Sequence, residues 1–113
     1  MDIFDRIEYL TEKKGWRRTE FLRRIGLNSS AMNDWRAGKS SPEKHMEKII
    51  AVLGTSEAYL RGETDDPRSV AEQIGEFDNV RFAYMKKEAE GMSDAALDDV
   101  LRYMRFLKEK GDL

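Results

Sequence analysis

A chain of 113 residues and 13.1 kDa has room for one ordinary core and an extension, which excludes a large multidomain enzyme. Hydrophobic residues make up 40% of it, enough to form a core and to exclude disorder throughout. Charged residues reach 37%, yet 20 basic and 22 acidic side chains leave a net charge of -2, a balance that by itself argues against nucleic acid. Cysteine is absent, so no disulfide, thiolate metal site or cysteine nucleophile is available, in keeping with a cytoplasmic protein. No apolar run approaches the ~18 residues of a membrane span. Residues 1 to 10 also lack the basic opening of a signal peptide.

In chain order, helical periodicity with short breaks fills residues 1 to 63. Asp2 caps a helix whose inner face is Ile3, Ile7 and Leu10 and which ends at Gly15. A second carries Phe21, Leu22 and Ile25 and stops at Gly26. A third starts at Asn28, buries Ala31, Met32 and Trp35, and stops at Gly38. Ser41 and Pro42 form a helix-start pair for a fourth, through Met46, Ile49, Ile50 and Leu53 to Gly54. Ser56 opens a fifth, with Tyr59 and Leu60 inside and Gly62 after it. Glycine after each helix fits the left-handed closing position. The expectation is a compact all-α module at 1–66, closed by the acidic stretch before Pro67, and a separate tail at 67–113. In that tail Val80, Phe82 and Tyr84 alternate at period two, which favours a short strand over a helix. Ser93 then opens the longest helix, stapled by Met92 and Leu97 and running to Gly111. Its broad apolar face is Leu97, Val100, Leu101, Met104 and Leu107, with Phe106 outside it.

The segment around Gly26 carries the functional signal. Phe21, Leu22, Ile25, Leu27, Met32 and Trp35 have the spacing with which a helix-turn-helix anchors its second helix across the first. The start of that second helix then faces outward, where it fits a major groove. Residues 13 to 39 contain eight basic side chains (Lys13, Lys14, Arg17, Arg18, Arg23, Arg24, Arg36 and Lys39) against Glu20 and Asp34, a local charge of +6. Residues 1 to 12 and 40 to 66 each sum to -3. The neutral average thus hides a basic window at the turn, and binding through it weakens steeply with salt.

Residues 3 to 63 resemble the lambda-repressor-like helix-turn-helix regulators of the Cro and XRE type. The likeness is carried by Lys14-Gly15-Trp16, Ile25-Gly26-Leu27, Trp35-Arg36-Ala37-Gly38-Lys39, Ala51-Val52-Leu53-Gly54 and Leu60-Arg61-Gly62-Glu63. The segments around Phe82-Ala83-Tyr84 and Tyr103-Met104-Arg105-Phe106-Leu107 resemble a tail found in some members. The resemblance implies a five-helix DNA-binding domain with a C-terminal extension, and a sequence-specific repressor of transcription that needs no cofactor. Carried over by position, it implies DNA contacts at Arg17, Arg18, Thr19, Asn28, Ser29, Ser30, Asn33, Asp34, Arg36 and Lys39. Arg18 stands where many members have a Gln, Arg17 where they have a Ser or Thr cap, and Leu22 where they have a small Ala.

Among the base-reading candidates, Asn28 and Asn33 suit adenine and Asp34 suits cytosine, but Asn28 equally suits a helix cap. One such module contacts few bases, so a homodimer on a palindromic operator is expected. Its interface is assigned to Val80, Phe82, Tyr84, Leu97, Val100, Leu101, Tyr103, Met104, Phe106 and Leu107, unless the tail folds back on its own chain. The alternative function is an antitoxin-like or adaptor protein whose tail binds a partner. No catalytic or metal-binding set stands out: His45 is the one histidine and reads as surface, while Asp98 and Asp99 point in different directions along a helix.

Overall fold

The computed structural model describes residues 2–77 and 80–110, with backbone alone at Val80 and Arg81. Every regular element among them is helical: α1 (Ile3–Lys13), α2 (Arg18–Arg24), α3 (Ala31–Arg36), a 3-10 turn (Pro42–His45), α4 (Met46–Leu53), α5 (Glu57–Leu60), α6 (Val70–Gly75), α7 (Val80–Glu88) and α8 (Asp94–Lys110). The chain divides into two compact units, one ending at Pro67 and the other beginning at Arg68.

In the first unit the helix ends follow local chemistry. Asp2 accepts a hydrogen bond from the Asp5 amide at 2.9 Å, Ser41 from Glu43 at 3.2 Å and Ser56 from Tyr59 at 3.1 Å, each supplying an acceptor for an otherwise orphan donor. Gly54 closes α4 in the left-handed conformation at φ 65°, and Gly26 turns the chain between α2 and α3 at φ 80°. Ile7, Phe21, Leu22, Ile49 and Leu60 are completely or almost completely enclosed, and Met32 and Trp35 join the same core from α3. The core therefore draws on all five helices.

A buried charge fastens this unit. The Arg6 guanidinium stacks on Tyr59 at 4.5 Å and donates to the carbonyls of Tyr59 and Thr64, both at 2.8 Å, and to Asp65 at 3.1 Å. A planar fork reaches several acceptors at once, so one side chain from α1 ties down the exit from α5.

The second unit has its own core of Val70, Ile74, Phe82, Leu101 and Met104, flanked by Phe77, Met85, Leu97, Val100 and Leu107. Its first helix, α6, is not among the sequence expectations, although Ser69 caps its start, accepting from the Glu72 amide and donating its hydroxyl to the Glu72 carboxylate, both at 3.2 Å. Gln73, buried on α6, donates to the Arg68 carbonyl at 2.9 Å and accepts from Arg105 of α8. Phe77 meets Phe82 edge-on at 4.8 Å. Ser93 caps α8 through the Ala96 amide at 3.3 Å.

The strand expected at Val80, Phe82 and Tyr84 is corrected: these residues begin the helix α7. Phe82 and Ala89 are buried and Met85 half-buried, a spacing of three and four that defines one helical face, whereas Tyr84 points outward. An isolated strand would also lack a partner, since no strand occurs among the described residues. The Val80 side chain, Asn79 and Gly111 lie outside the described residues.

Removing the Arg6 clamp strips the Thr64 carbonyl of its side-chain donor and leaves the Tyr59 carbonyl with the Gly62 amide alone. Arg6→Leu should destabilise the protein by about 2–4 kcal/mol, as breaking a buried, hydrogen-bonded charge does. Asp65→Ala, which removes only the fully exposed partner, should cost under about 1 kcal/mol. Urea denaturation of the two variants checks both values, and equal losses would refute the assignment.

Candidate nucleic-acid interface

The α2–turn–α3 segment is shaped by burial on one side and exposure on the other. Phe21 and Leu22 of α2 and Ala31, Met32 and Trp35 of α3 face the core, while the Leu27 amide donates to the Leu22 carbonyl at 2.8 Å across the turn. Among the residues expected to contact DNA, Arg17, Arg18, Thr19, Asn28, Ser29, Ser30, Asn33, Arg36 and Lys39 are exposed and Asp34 is half-buried.

The regular part of α3 begins at Ala31, three residues after the expected start at Asn28. Asn28 Oδ1 accepts from the Ser30 amide at 3.1 Å and from the Ser30 hydroxyl at 2.7 Å, so it organises the approach to the helix from an Asx-type turn. Its acceptor is occupied locally. The Asn28 Nδ2 donors, the Ser29 hydroxyl and the Asn33 amide have no side-chain partner among the described residues.

The basic window is more balanced in space than along the chain. Glu20 accepts from Arg23 at 2.5 and 3.1 Å and from Arg24 at 2.9 Å. Arg24 also lies 4.2 Å from the Trp16 ring centre, and Lys14 lies 5.3 Å from it. Glu8 of α1 reaches both ends of the motif: its Oε1 is 2.6 Å from Arg18, the first residue of α2, and 2.9 Å from Arg36, the last of α3. Asp5 approaches Arg36 at 3.7 Å, and Phe4 lies beneath that guanidinium at 5.5 Å. The Glu8 carboxylate raises the Arg36 pKa. Four of the eight basic residues are therefore ion-paired, while Arg17 and Lys39 have no ion-pair partner among the described residues.

Sequence reasoning left out Glu8 because residues 1 to 12 were summed as an acidic flank. The signal was present in the spacing of Asp5 and Glu8, three apart on one face of α1 beside the buried Ile7 and Leu10.

The expected tail interface separates into two sets. Phe82, Leu101 and Met104 are buried within their own unit, and Leu97, Val100 and Leu107 are half-buried against it. Tyr84, Tyr103 and Phe106 are exposed, at 72%, 53% and 52%. His45 is half-buried at the end of the 3-10 turn, and no group of three His, Asp or Glu side chains suited to a metal ion occurs among the described residues. No described helix is long and apolar enough to cross a membrane.

With this geometry in place, comparison with known proteins gives one informative likeness. Over 51 residues, 39% are identical to the 26 kDa repressor protein of Escherichia phage HK022. The match takes in 44% of this chain but only 22% of that protein, so the chain spans about a fifth of the length of the curated relative it matches. No family model and no solved structure matches the chain.

The Arg23 hydrogen bond holds the Glu20 carboxyl below its ordinary value, and Arg24 acts in the same direction. A depressed pKa means that this cluster supports the fold above the unfolded-state value and loses that support as pH falls through the folded-state value. Carboxyl-carbon NMR titration should place the Glu20 midpoint below that of a glutamate in an unstructured peptide, and Arg23→Gln should move it upward. Equal midpoints would contradict the observed pairing.

Proposed function

We propose that the chain is a cytoplasmic, sequence-specific double-stranded DNA-binding regulator, a repressor, whose first unit is a five-helix lambda-repressor-like reading head. The observation that carries this reading is the α2–Gly26–α3 pair. Its apolar side is enclosed, and its polar side exposes Asn28, Ser29, Ser30 and Asn33 ahead of and along α3. A helix so presented fits the major groove, with the preceding helix crossing the phosphate backbone. Arg17, Thr19 and Lys39 flank it as phosphate contacts free of internal pairing, and Arg18 and Arg36 add charge that is shared with Glu8. Asp34 repels phosphate and selects among sites. The partial likeness to a phage repressor points the same way.

Homodimerisation through the second unit is part of the proposal. Asp99, Tyr103, Phe106 and Lys110 are spaced four, three and four apart along the exposed side of α8, and Lys110 lies 5.0 Å from the Phe106 ring centre. Two such helices crossing antiparallel about a twofold axis would set aromatic on aromatic and Asp99 against Lys110 of the second copy. The adaptor reading rests on the same exposed aromatics, with a different protein covering them.

Selection from a random duplex library tests the function: a palindromic enriched site is the expected result, and failure to enrich any sequence would remove the DNA reading. Phe106→Glu should halve the molar mass measured by light scattering at tens of micromolar without changing the helical circular dichroism. A wild-type chain that is monomeric under those conditions would remove the homodimer.

A further inference from the structure

We propose that Glu8 governs the affinity of the helix-turn-helix for polyanions by holding Arg18 and Arg36 on one carboxylate oxygen; its biological meaning rests on the DNA-binding reading above. Glu8 Oε1 is buried and lies 2.6 Å from Arg18 and 2.9 Å from Arg36. Two guanidinium groups share one carboxylate oxygen, which leaves donors on each for the oxygens of a phosphate. The arginine side chains remain 57% and 38% exposed, which leaves both within reach of an incoming anion.

The placement gives this competition a direction. Arg18 and Arg36 stand at opposite ends of the motif, and the acid between them comes from α1, a helix without any residue expected to touch DNA. Non-specific binding to a duplex is an electrostatic gain from neutralised phosphates. An acid that occupies two of the available cations therefore subtracts from that gain, while base contacts made from Asn28 to Asn33 are untouched. Glu8 lowers the background affinity against which a preferred site is recognised. The melting midpoint reports any change in folding separately, so the effect on polyanion affinity is read on its own.

Glu8→Gln keeps the side-chain shape and removes the charge. On a random duplex it should raise affinity and steepen the slope of log K against log salt by about one to two, because each added phosphate contact contributes about 0.9. Glu12→Gln is the matched control: it changes net charge equally from an exposed position on the same helix with no side-chain partner among the described residues. Its slope should stay near that of the wild type. Introduced into an Arg18→Gln, Arg36→Gln background, Glu8→Gln should gain nothing. Heparin chromatography measures the same effect without a duplex, with the Glu8→Gln protein eluting at higher salt than Glu12→Gln. Behaviour equal to Glu12→Gln on heparin, or weaker polyanion binding at an unchanged melting midpoint, would overturn the role of Glu8. A gain on heparin with no duplex binding by any variant would keep that role and discard the DNA reading.

Discussion

Two very short helices impose the constraint on which the first unit depends. The α2 helix has seven residues and α3 has six, lengths at which an isolated helix in water has no appreciable population. Their shape comes from side chains they do not share with solvent: Phe21 and Leu22 on one, Met32 and Trp35 on the other, packed with Ile7, Ile49 and Leu60 from the surrounding helices. Surface residues of the motif are consequently positioned by a core none of them enters. The exposed polar side can vary widely in chemistry, whereas the enclosed side must keep volume and shape.

Most of that arrangement was legible in the sequence, and the reason lies in its punctuation. Asp2, Ser41 and Ser56 begin helices where their side chains can accept amide bonds, and Gly26 and Gly54 follow helices where the backbone turns left-handed. Such signals are local, so they survive without knowledge of the fold. The second unit was less legible. Val80, Phe82 and Tyr84 alternate over only five residues, and the helical face of α7 emerges once Met85 and Ala89 are counted with Phe82. Tyr84 supplied the misleading third member, and its exposure shows that size and aromaticity did not imply burial. The capping pair of Ser69 and Glu72 was a local signal that went unread beside the stronger patterns around it.

The candidate site shows where counting along a chain fails. A window from residue 13 to residue 39 has a charge of +6. Space redistributes it: Glu8 enters from outside the window to meet Arg18 and Arg36, and Glu20 holds Arg23 and Arg24 inside it. Net charge per segment located the basic residues, while helix packing decided which of them are ion-paired. Tertiary packing likewise narrowed the tail's apolar list, enclosing Leu101 and Met104 and leaving Tyr103 and Phe106 outside.

Arg6 and Glu8 sit two residues apart on α1 and face different directions, one into the exit from α5 and one onto the outer ends of α2 and α3. A single helix thus carries both the fastening of the unit and the acid that offsets its exposed arginines. Mutations that loosen α1 act on two traits together, weakening the fold while unmasking positive charge. This pleiotropy restricts the helix during sequence drift: Glu8 cannot be treated as a neutral surface position, and a change that improves one trait is filtered through its effect on the other.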